Sequence, residues 1–101
     1  MELNSIEEVV EDLKKGKCVV IMDDENRENE GDVICAAEFA TTENVNFMAS
    51  YARGLICMPM APEYTDKLHL PQMCITNTDN HCTAFSVSVD HVSTTTGISA
   101  Y

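Results

Sequence analysis

The residues best suited to chemistry lie together in one short stretch, DDENRENEGD, at positions 23–32. Six of its ten side chains are acidic, and Arg27 is its only cation. If the stretch is extended, alternation places Glu28 and Glu30 on the same side. Paired carboxylates suit a hard divalent cation such as Mg²⁺, which prefers oxygen ligands. They also suit proton transfer, because mutual repulsion and burial raise the pKa of one carboxylate toward neutrality.

The residues alone leave two interpretations of this acidic stretch open. A charged, solvated hairpin loop explains the same composition without any ligand. A calcium loop of the EF-hand type is disfavoured, because the acids lack the required spacing and strands rather than helices are predicted on both sides. Arg27 beside the acids suits the orientation of a neighbouring carboxylate, or the binding of an anionic or polyol substrate.

Short apolar runs on both sides of the acidic stretch predict the strands that must position it. CVVIM at 18–22 and DVICAA at 32–37 are rich in β-branched residues and predict strands buried on both faces. LICMPM at 55–60 predicts a third buried strand, and the alternation in AFSVSVD at 84–90 predicts a half-exposed one. The acidic stretch directly follows strand 18–22. This is a favourable place for a binding site, because ligands collect beyond the carboxyl ends of strands in open α/β sheets.

Helical periodicity and capping signals alternate with these strands. Ser5 and Glu8 form a capping box, and Gly16 is the expected stop of the first helix. Predicted helices cover residues 5–15, 42–53 and, in a shorter form, 63–68. Strands alternating with helices predict an α+β fold of the α/β sandwich type, with a mixed sheet flanked by helices.

Composition excludes several classes of partner. The chain has 101 residues and a formal net charge of −11, with only six Lys and Arg residues, which argues against a nucleic-acid partner. No apolar run reaches the roughly 20 residues that span a bilayer, and the N-terminus has no signal-peptide pattern. We therefore expect a cytoplasmic protein with no membrane partner.

The five cysteines predict neither a disulfide framework nor a structural zinc site, because their number is odd and C-x-x-C is absent. Cys18, Cys35 and Cys57 lie in apolar runs, where a free thiol that packs as a small hydrophobe is expected. The three histidines, His69, His81 and His91, are expected to be structural or surface residues.

Three segments, in order along the chain, resemble the 3,4-dihydroxy-2-butanone-4-phosphate synthase family. They are DDENRENEGD, RGLICMP at 53–59 and HVSTTTGISA at 91–100, and the resemblance covers essentially the whole chain. It implies a lyase of riboflavin biosynthesis that converts D-ribulose 5-phosphate to L-3,4-dihydroxy-2-butanone 4-phosphate and formate. It also implies Mg²⁺ (or Mn²⁺) as cofactor, a homodimer, and a reaction by enolisation, dehydration and skeletal rearrangement.

The resemblance assigns roles within the acidic stretch. Arg27 and Glu28 are expected to contact the substrate, and Glu28 is also the expected metal ligand. Asp32 is expected to bind a substrate hydroxyl, and Glu30 to lie close enough for proton transfer. Glu28, Glu30 and Asp32 are therefore the candidate catalytic residues.

Two further segments have candidate substrate contacts by the same resemblance. Cys57 is expected near the site, with a core thiol as the open alternative. Thr94, Thr95 and Thr96 form a hydroxyl-rich loop expected to approach the substrate or the partner subunit, with Thr95 and Thr96 the substrate-binding candidates. A simple turn explains any one of these threonines equally well.

The family domain continues past the TTTGIS motif with a histidine metal ligand, phosphate contacts and a further essential acid. Residues 1–101 are therefore expected to be the N-terminal portion of a single synthase domain that is inactive alone. The alternatives are a non-catalytic acidic module that binds divalent cations and a truncated regulatory domain.

Overall fold

The computed structural model describes residues 3–95 and 99–100 and divides the chain into two units. The first unit comprises Met1–Cys57 with Ile98–Tyr101, and the second comprises Met58–Gly97. Over the residues that the structure describes, no helix combines the length and apolar character required to cross a membrane.

Helix α1, Ile6–Lys14, opens the first unit and has the predicted ends. The Ser5 Oγ accepts from the Glu8 N–H at 3.3 Å, and the Glu8 carboxylate accepts from the Ser5 N–H at 2.9 Å. This reciprocal pair satisfies N–H groups that the first turn leaves without intrahelical partners. Gly16 follows with φ +75°, and a Cβ on it would lie 3.0 Å from the Phe39 ring, so both conformation and space require glycine. The predicted capping box and stop are confirmed.

Strands β1, Val19–Met22, and β2, Gly31–Ile34, form an antiparallel hairpin around the acidic stretch. The register runs from Val19 opposite Ile34 to Met22 opposite Gly31. The two predicted strands are therefore present, in shorter form. The prediction that they are buried on both faces is wrong, because none of their residues is buried.

Helix α2, Thr42–Phe47, confirms the start of the predicted helix 42–53. The Thr41 hydroxyl accepts from the Asn44 N–H at 3.2 Å, which caps the first turn. The helix continues as a π-helical segment, Met48–Ala52, whose wider turn ends at Arg53 with φ +64°. The Asn44 side chain donates to the carbonyls of Gly16 and Phe39 at 3.1 and 2.8 Å, and so ties α2 to the chain that follows α1.

Helix α3, Pro62–Lys67, lies in the second unit and confirms the short helix predicted there. Proline in the first turn costs no hydrogen bond, because that N–H has no intrahelical partner. The prediction of a strand at 84–90 is wrong: the segment makes only an isolated bridge, Gln72 opposite Ser86. Phe85 and Val87 are exposed while Ser86 is half-buried, which is the reverse of the predicted alternation.

Residues 55–60 also form no strand, which corrects the third predicted one. Strand formation requires a neighbouring strand to accept and donate the ladder bonds, whereas the capped helices satisfy their own backbone. The described helices and antiparallel hairpin confirm the α+β class, with a two-stranded antiparallel sheet in place of a mixed one. No described residue of either unit is fully buried, and Cys57 is exposed, so the alternative that it is a core thiol is wrong.

Candidate active site

One carboxylate, Asp23, organises the acidic loop between β1 and β2. Its Oδ2 accepts from the Glu28 N–H at 3.0 Å and from the Arg27 guanidinium at 2.9 Å. Its Oδ1 accepts from the Glu30 N–H at 3.0 Å, so both oxygens are occupied. The backbone bonds from Glu30 and Glu28, followed by Arg27, lower the pKa of Asp23. This residue therefore fixes the backbone on which the candidate catalytic acids stand.

Sequence reasoning missed the role of Asp23. The available signal was its position as the first acid after an apolar strand, where Asp side chains commonly accept bonds from backbone N–H groups ahead of them. Asp24 acts in this way locally, since its Oδ1 accepts from the Asn26 N–H at 2.8 Å. The Arg27 N–H donates to the Asp24 carbonyl at 2.9 Å and closes the turn.

Arg27 and Glu28 are brought together as a charged pair. The Arg27 guanidinium lies 3.3 Å from Glu28 Oε2, and the two side chains are 53% and 31% exposed. The bond to Asp23, together with the charge of Glu28, raises the pKa of Arg27. The guanidinium is thus oriented by two acids and still presents an exposed edge to solvent, where an anion or polyol can reach it.

Glu30 and Asp32 share one face of the hairpin. The Asp23 N–H donates to the Glu30 carbonyl at 3.3 Å, which continues the ladder by one pair beyond Met22 and Gly31. Residues two apart in a strand point to the same face, so Glu30 and Asp32 lie on one side. Asp23 lies on that side too, because directly opposed residues of an antiparallel pair share a face. The predicted pairing of Glu28 with Glu30 by alternation is not formed, because Glu28 lies in a turn and Asn29 adopts φ +53°.

The remaining candidates lie outside the acidic loop. Cys57 is exposed in the first unit, and its thiol donates to the Leu55 carbonyl at 3.8 Å. Thr95 is exposed in the second unit, and Thr94 donates its hydroxyl to the His91 carbonyl at 2.7 Å. Thr96 lies outside the described residues.

Metal-binding groups of protein origin are sparse in the described part of the chain. Among residues 3–95 and 99–100, no three His, Cys, Asp or Glu side chains are grouped so that they could hold a metal ion. His69, His81 and His91 are exposed. The Glu28 carboxylate nevertheless fits a hard cation, since Mg²⁺ retains several waters and takes one or two carboxylates from the protein.

The second unit contains another turn built on a carboxylate. Asp79 Oδ2 accepts from the N–H groups of His81 and Thr83 at 3.1 and 3.0 Å. The Thr83 bond is the main cause that lowers the pKa of Asp79. The turn borders a concavity of about 330 Å³ that Met73 and Phe85 also line.

Sequence comparison finds relatives that are named for riboflavin biosynthesis. The chain is 60% identical over 96 residues to the riboflavin biosynthesis protein RibBA of Bacillus mycoides, and 55% identical to that of Bacillus cytotoxicus. Each match covers 95% of this chain and 24% of the relative. The chain thus spans about a quarter of the length of these relatives.

Solved structures are also similar to this chain. The fold matches a 3,4-dihydroxy-2-butanone 4-phosphate synthase in complex with two magnesium ions, with a TM-score of 0.91 and 50% identity, over 98% of this chain and 47% of that one. It also matches RibBX of A. baumannii, a two-domain synthase, with a TM-score of 0.86 and 44% identity, over 96% of this chain and 29% of that one. The family model for 3,4-dihydroxy-2-butanone 4-phosphate synthase matches residues 7–101, and the chain belongs to this family.

Proposed function

We propose that this chain contributes the acidic-loop part of an active site that converts D-ribulose 5-phosphate to L-3,4-dihydroxy-2-butanone 4-phosphate and formate. Family membership over residues 7–101 is the observation that carries the proposal. The hydrogen-bonded loop supports it, because Asp23 holds Arg27 and Glu28 in place through charge-assisted bonds. A merely solvated acidic loop would not require this arrangement.

The candidate site residues of the loop have distinct tasks in this proposal. Arg27 binds substrate through the exposed edge of its guanidinium. Asp32 accepts a hydrogen bond from a substrate hydroxyl, and Glu30 on the same face of the hairpin takes up or returns a proton during enolisation. Exposed Cys57 and Thr95 add substrate contacts, and Thr96 is proposed with them from the resemblance alone.

Glu28 is the proposed protein ligand of a divalent cation, Mg²⁺ or alternatively Mn²⁺. The related synthase bound to two magnesium ions supports a magnesium requirement. When bound, the cation supplies Lewis acidity that draws electron density from the oxygens of the ketose. The proximity of Arg27 to Glu28 limits the charge that this single carboxylate brings to the ion, so further oxygen ligands are expected around it.

We further propose that residues 1–101 form the N-terminal portion of one synthase domain and are inactive alone. The chain corresponds to 47% of the solved magnesium-bound synthase. Its large apolar side chains are exposed in both units, for example Leu55 at 75% in the first and Ile75 at 106% in the second. Such surfaces are typical of faces that pack against further protein. We also propose that the protein is cytoplasmic, forms a homodimer and has no nucleic-acid or membrane partner.

A chimera tests the catalytic proposal. Residues 1–101 replace the matching part of the magnesium-bound synthase, and formate release from ribulose 5-phosphate is measured with Mg²⁺. We expect activity in the chimera, and a loss of at least about 100-fold with Glu28→Gln, because the charge that binds the cation is removed. Glu25→Gln is the matched control, since it removes one carboxylate from the same loop at an exposed position.

The proposal fails if the chimera folds, by circular dichroism, and releases no formate. It also fails if Glu28→Gln and Glu25→Gln have equal effects, which would reduce the loop to a nonspecific source of negative charge. The 101-residue chain assayed alone tests the domain proposal separately. Formate release by that chain at the chimera's rate would contradict the need for further protein.

A further inference from the structure

We propose that Cys18 and Cys35 are a redox-active pair that forms a disulfide across the open end of the β1–β2 hairpin. Cys18 directly precedes β1, and Cys35 directly follows β2. The last pair of the ladder is Val19 with Ile34, and one further step in the same register would place the two cysteines opposite each other. Both are free, half-buried thiols. The proposal is independent of the proposed catalytic function.

The phase of the ladder brings these two side chains toward each other. The Asp23 N–H donates to the Glu30 carbonyl, which marks that pair as hydrogen-bonded. Pairs alternate along an antiparallel ladder, so Val19 with Ile34 is again hydrogen-bonded and Cys18 with Cys35 is not. Non-hydrogen-bonded pairs have Cα atoms about 4.5 Å apart, within the range of about 4.4–6.8 Å that a disulfide spans.

A second observation supports contact between the thiols. Burial, and after it the charge and hydrogen-bonding capacity of Cys35, raises the pKa of the Cys18 thiol. Neither cysteine belongs to a strand, so the backbone at this end has freedom to adjust the separation of the two Cβ atoms. The two sulfurs also lie on the face of the hairpin opposite Glu30 and Asp32, because they are out of phase with those residues.

The oxidant we assign is a small-molecule disulfide of the glutathione class. A thiolate of the pair attacks one sulfur of that disulfide, and the first small thiolate leaves. The second protein thiolate then attacks the mixed disulfide and expels the second small thiolate. Two cysteine thiols are oxidised to one disulfide, one small disulfide is reduced to two thiols, and the protein's two protons pass to the released thiolates.

The raised pKa of Cys18 makes the exchange slow at neutral pH, because the thiolate is the nucleophile. Reducing compartments keep such pairs open, so the bridge is expected as a transient, reversible state and not as a structural crosslink. Once formed, it would restrain both strands that hold the acidic loop. The other three cysteines, at 57, 74 and 82, are exposed and belong to other segments.

Non-reducing peptide mapping provides the test, since a trypsin site lies between the two cysteines. After incubation of the chain with oxidised glutathione, cleavage at Lys17, Arg27 and Arg53 releases peptides 18–27 and 28–53, each with one cysteine. We expect these peptides to be joined, with the number of free thiols falling from five to three. Dithiothreitol should separate the peptides and restore the thiols.

Variants and an unfolded control give the test its contrast. Cys18→Ser and Cys35→Ser should each abolish the joined peptide, while the matched change Cys74→Ser should retain it. The same oxidation in concentrated urea should distribute disulfides among all five cysteines. The proposal is overturned if the native chain yields no more of the 18–35 bridge than the urea control, or if Cys35 remains alkylatable after oxidation.

Discussion

Two loops of the molecule use the same device, and only one of them sits between paired strands. In the acidic loop, Asp23 accepts from the N–H groups of Glu28 and Glu30. In the second unit, Asp79 accepts from those of His81 and Thr83. Each carboxylate ties down residues that follow it, and each has its pKa lowered mainly by these backbone bonds.

The difference lies in what surrounds each turn. Four residue pairs of β1 and β2 anchor the acidic loop, and Arg27 adds a cation to its carboxylate. A single bridge between Gln72 and Ser86 is the nearest ladder pair to the Asp79 turn within the described residues. A buried or hydrogen-bonded carboxylate can shape a turn by itself, but a flanking ladder is required to hold charged side chains in a reproducible arrangement. Only the acidic loop has both.

Asp23→Asn, introduced in the chimera, should have the largest effect of the changes that compare these two turns. Asparagine keeps the shape but replaces one acceptor oxygen by an N–H₂ group, which then faces an N–H donor or the Arg27 guanidinium. The loop loses its geometry, and formate release should fall by about 100-fold, as misplacement of catalytic groups commonly costs.

Asp24→Asn is the control for this prediction. Asp24 accepts from the Asn26 N–H through one oxygen, and the amide oxygen of asparagine can accept the same bond. Formate release should therefore remain within about threefold of the parent. Equal losses in the two variants would mean that the distinction between the organising and the flanking acid is wrong.

The same contrast separates what sequence could predict from what it could not. Ser5, Glu8 and Gly16 were predicted to bound α1, and the structure has them there, because caps act within a few residues. The strands at 55–60 and 84–90 were also predicted from local pattern and are not formed. A strand is stabilised by a partner remote in sequence, which alternation and β-branching do not identify.

Within the site, sequence and family resemblance identified the Arg27–Glu28 pair, which the structure brings to 3.3 Å. They did not identify Asp23, because its importance lies in hydrogen bonds to backbone groups five and seven residues ahead. The expected alternation of Glu28 and Glu30 failed for the same reason. The bonds to Asp23 and the left-handed Asn29 bend the loop instead of extending it.

Acid should unfold both turns, and we expect this effect to be smaller than that of Asp23→Asn. The pKa of Asp23 and of Asp79 is lowered from an ordinary 3.8, so each stabilises its folded turn above that pH. As pH falls below 3.8 and passes the lowered pKa, the carboxylates are protonated and this stabilisation is lost. NMR titration from about pH 6 to pH 2 should show the amide protons of Glu30 and Thr83 shifting with midpoints below 3.8.

Salt sharpens this second prediction. Backbone hydrogen bonds are the largest cause of the lowered pKa at both sites, and short hydrogen bonds are screened less than separated charges. Neither midpoint should move appreciably when NaCl is raised. A large upward shift at Asp23 alone would show that Arg27, and not the backbone, sets its pKa.

The smallest effect should come from the one left-handed side chain that each turn contains. Asn29 has φ +53° and Cys82 has φ +57°, but asparagine tolerates this region better than cysteine. Cys82→Gly relieves about 1–2 kcal/mol of strain and adds about 0.5–1 kcal/mol of unfolded-chain freedom, for a net gain of about 0.5 kcal/mol. The Thr83 amide should then exchange about twofold more slowly with solvent deuterium.

Two variants are the controls for this prediction. Asn29→Gly should leave the exchange rate of the Glu30 amide unchanged. Cys82→Ala keeps the strained backbone and should not slow exchange of the Thr83 amide. Slower exchange with Cys82→Ala would trace the effect to loss of the thiol and remove strain from the comparison of the two turns.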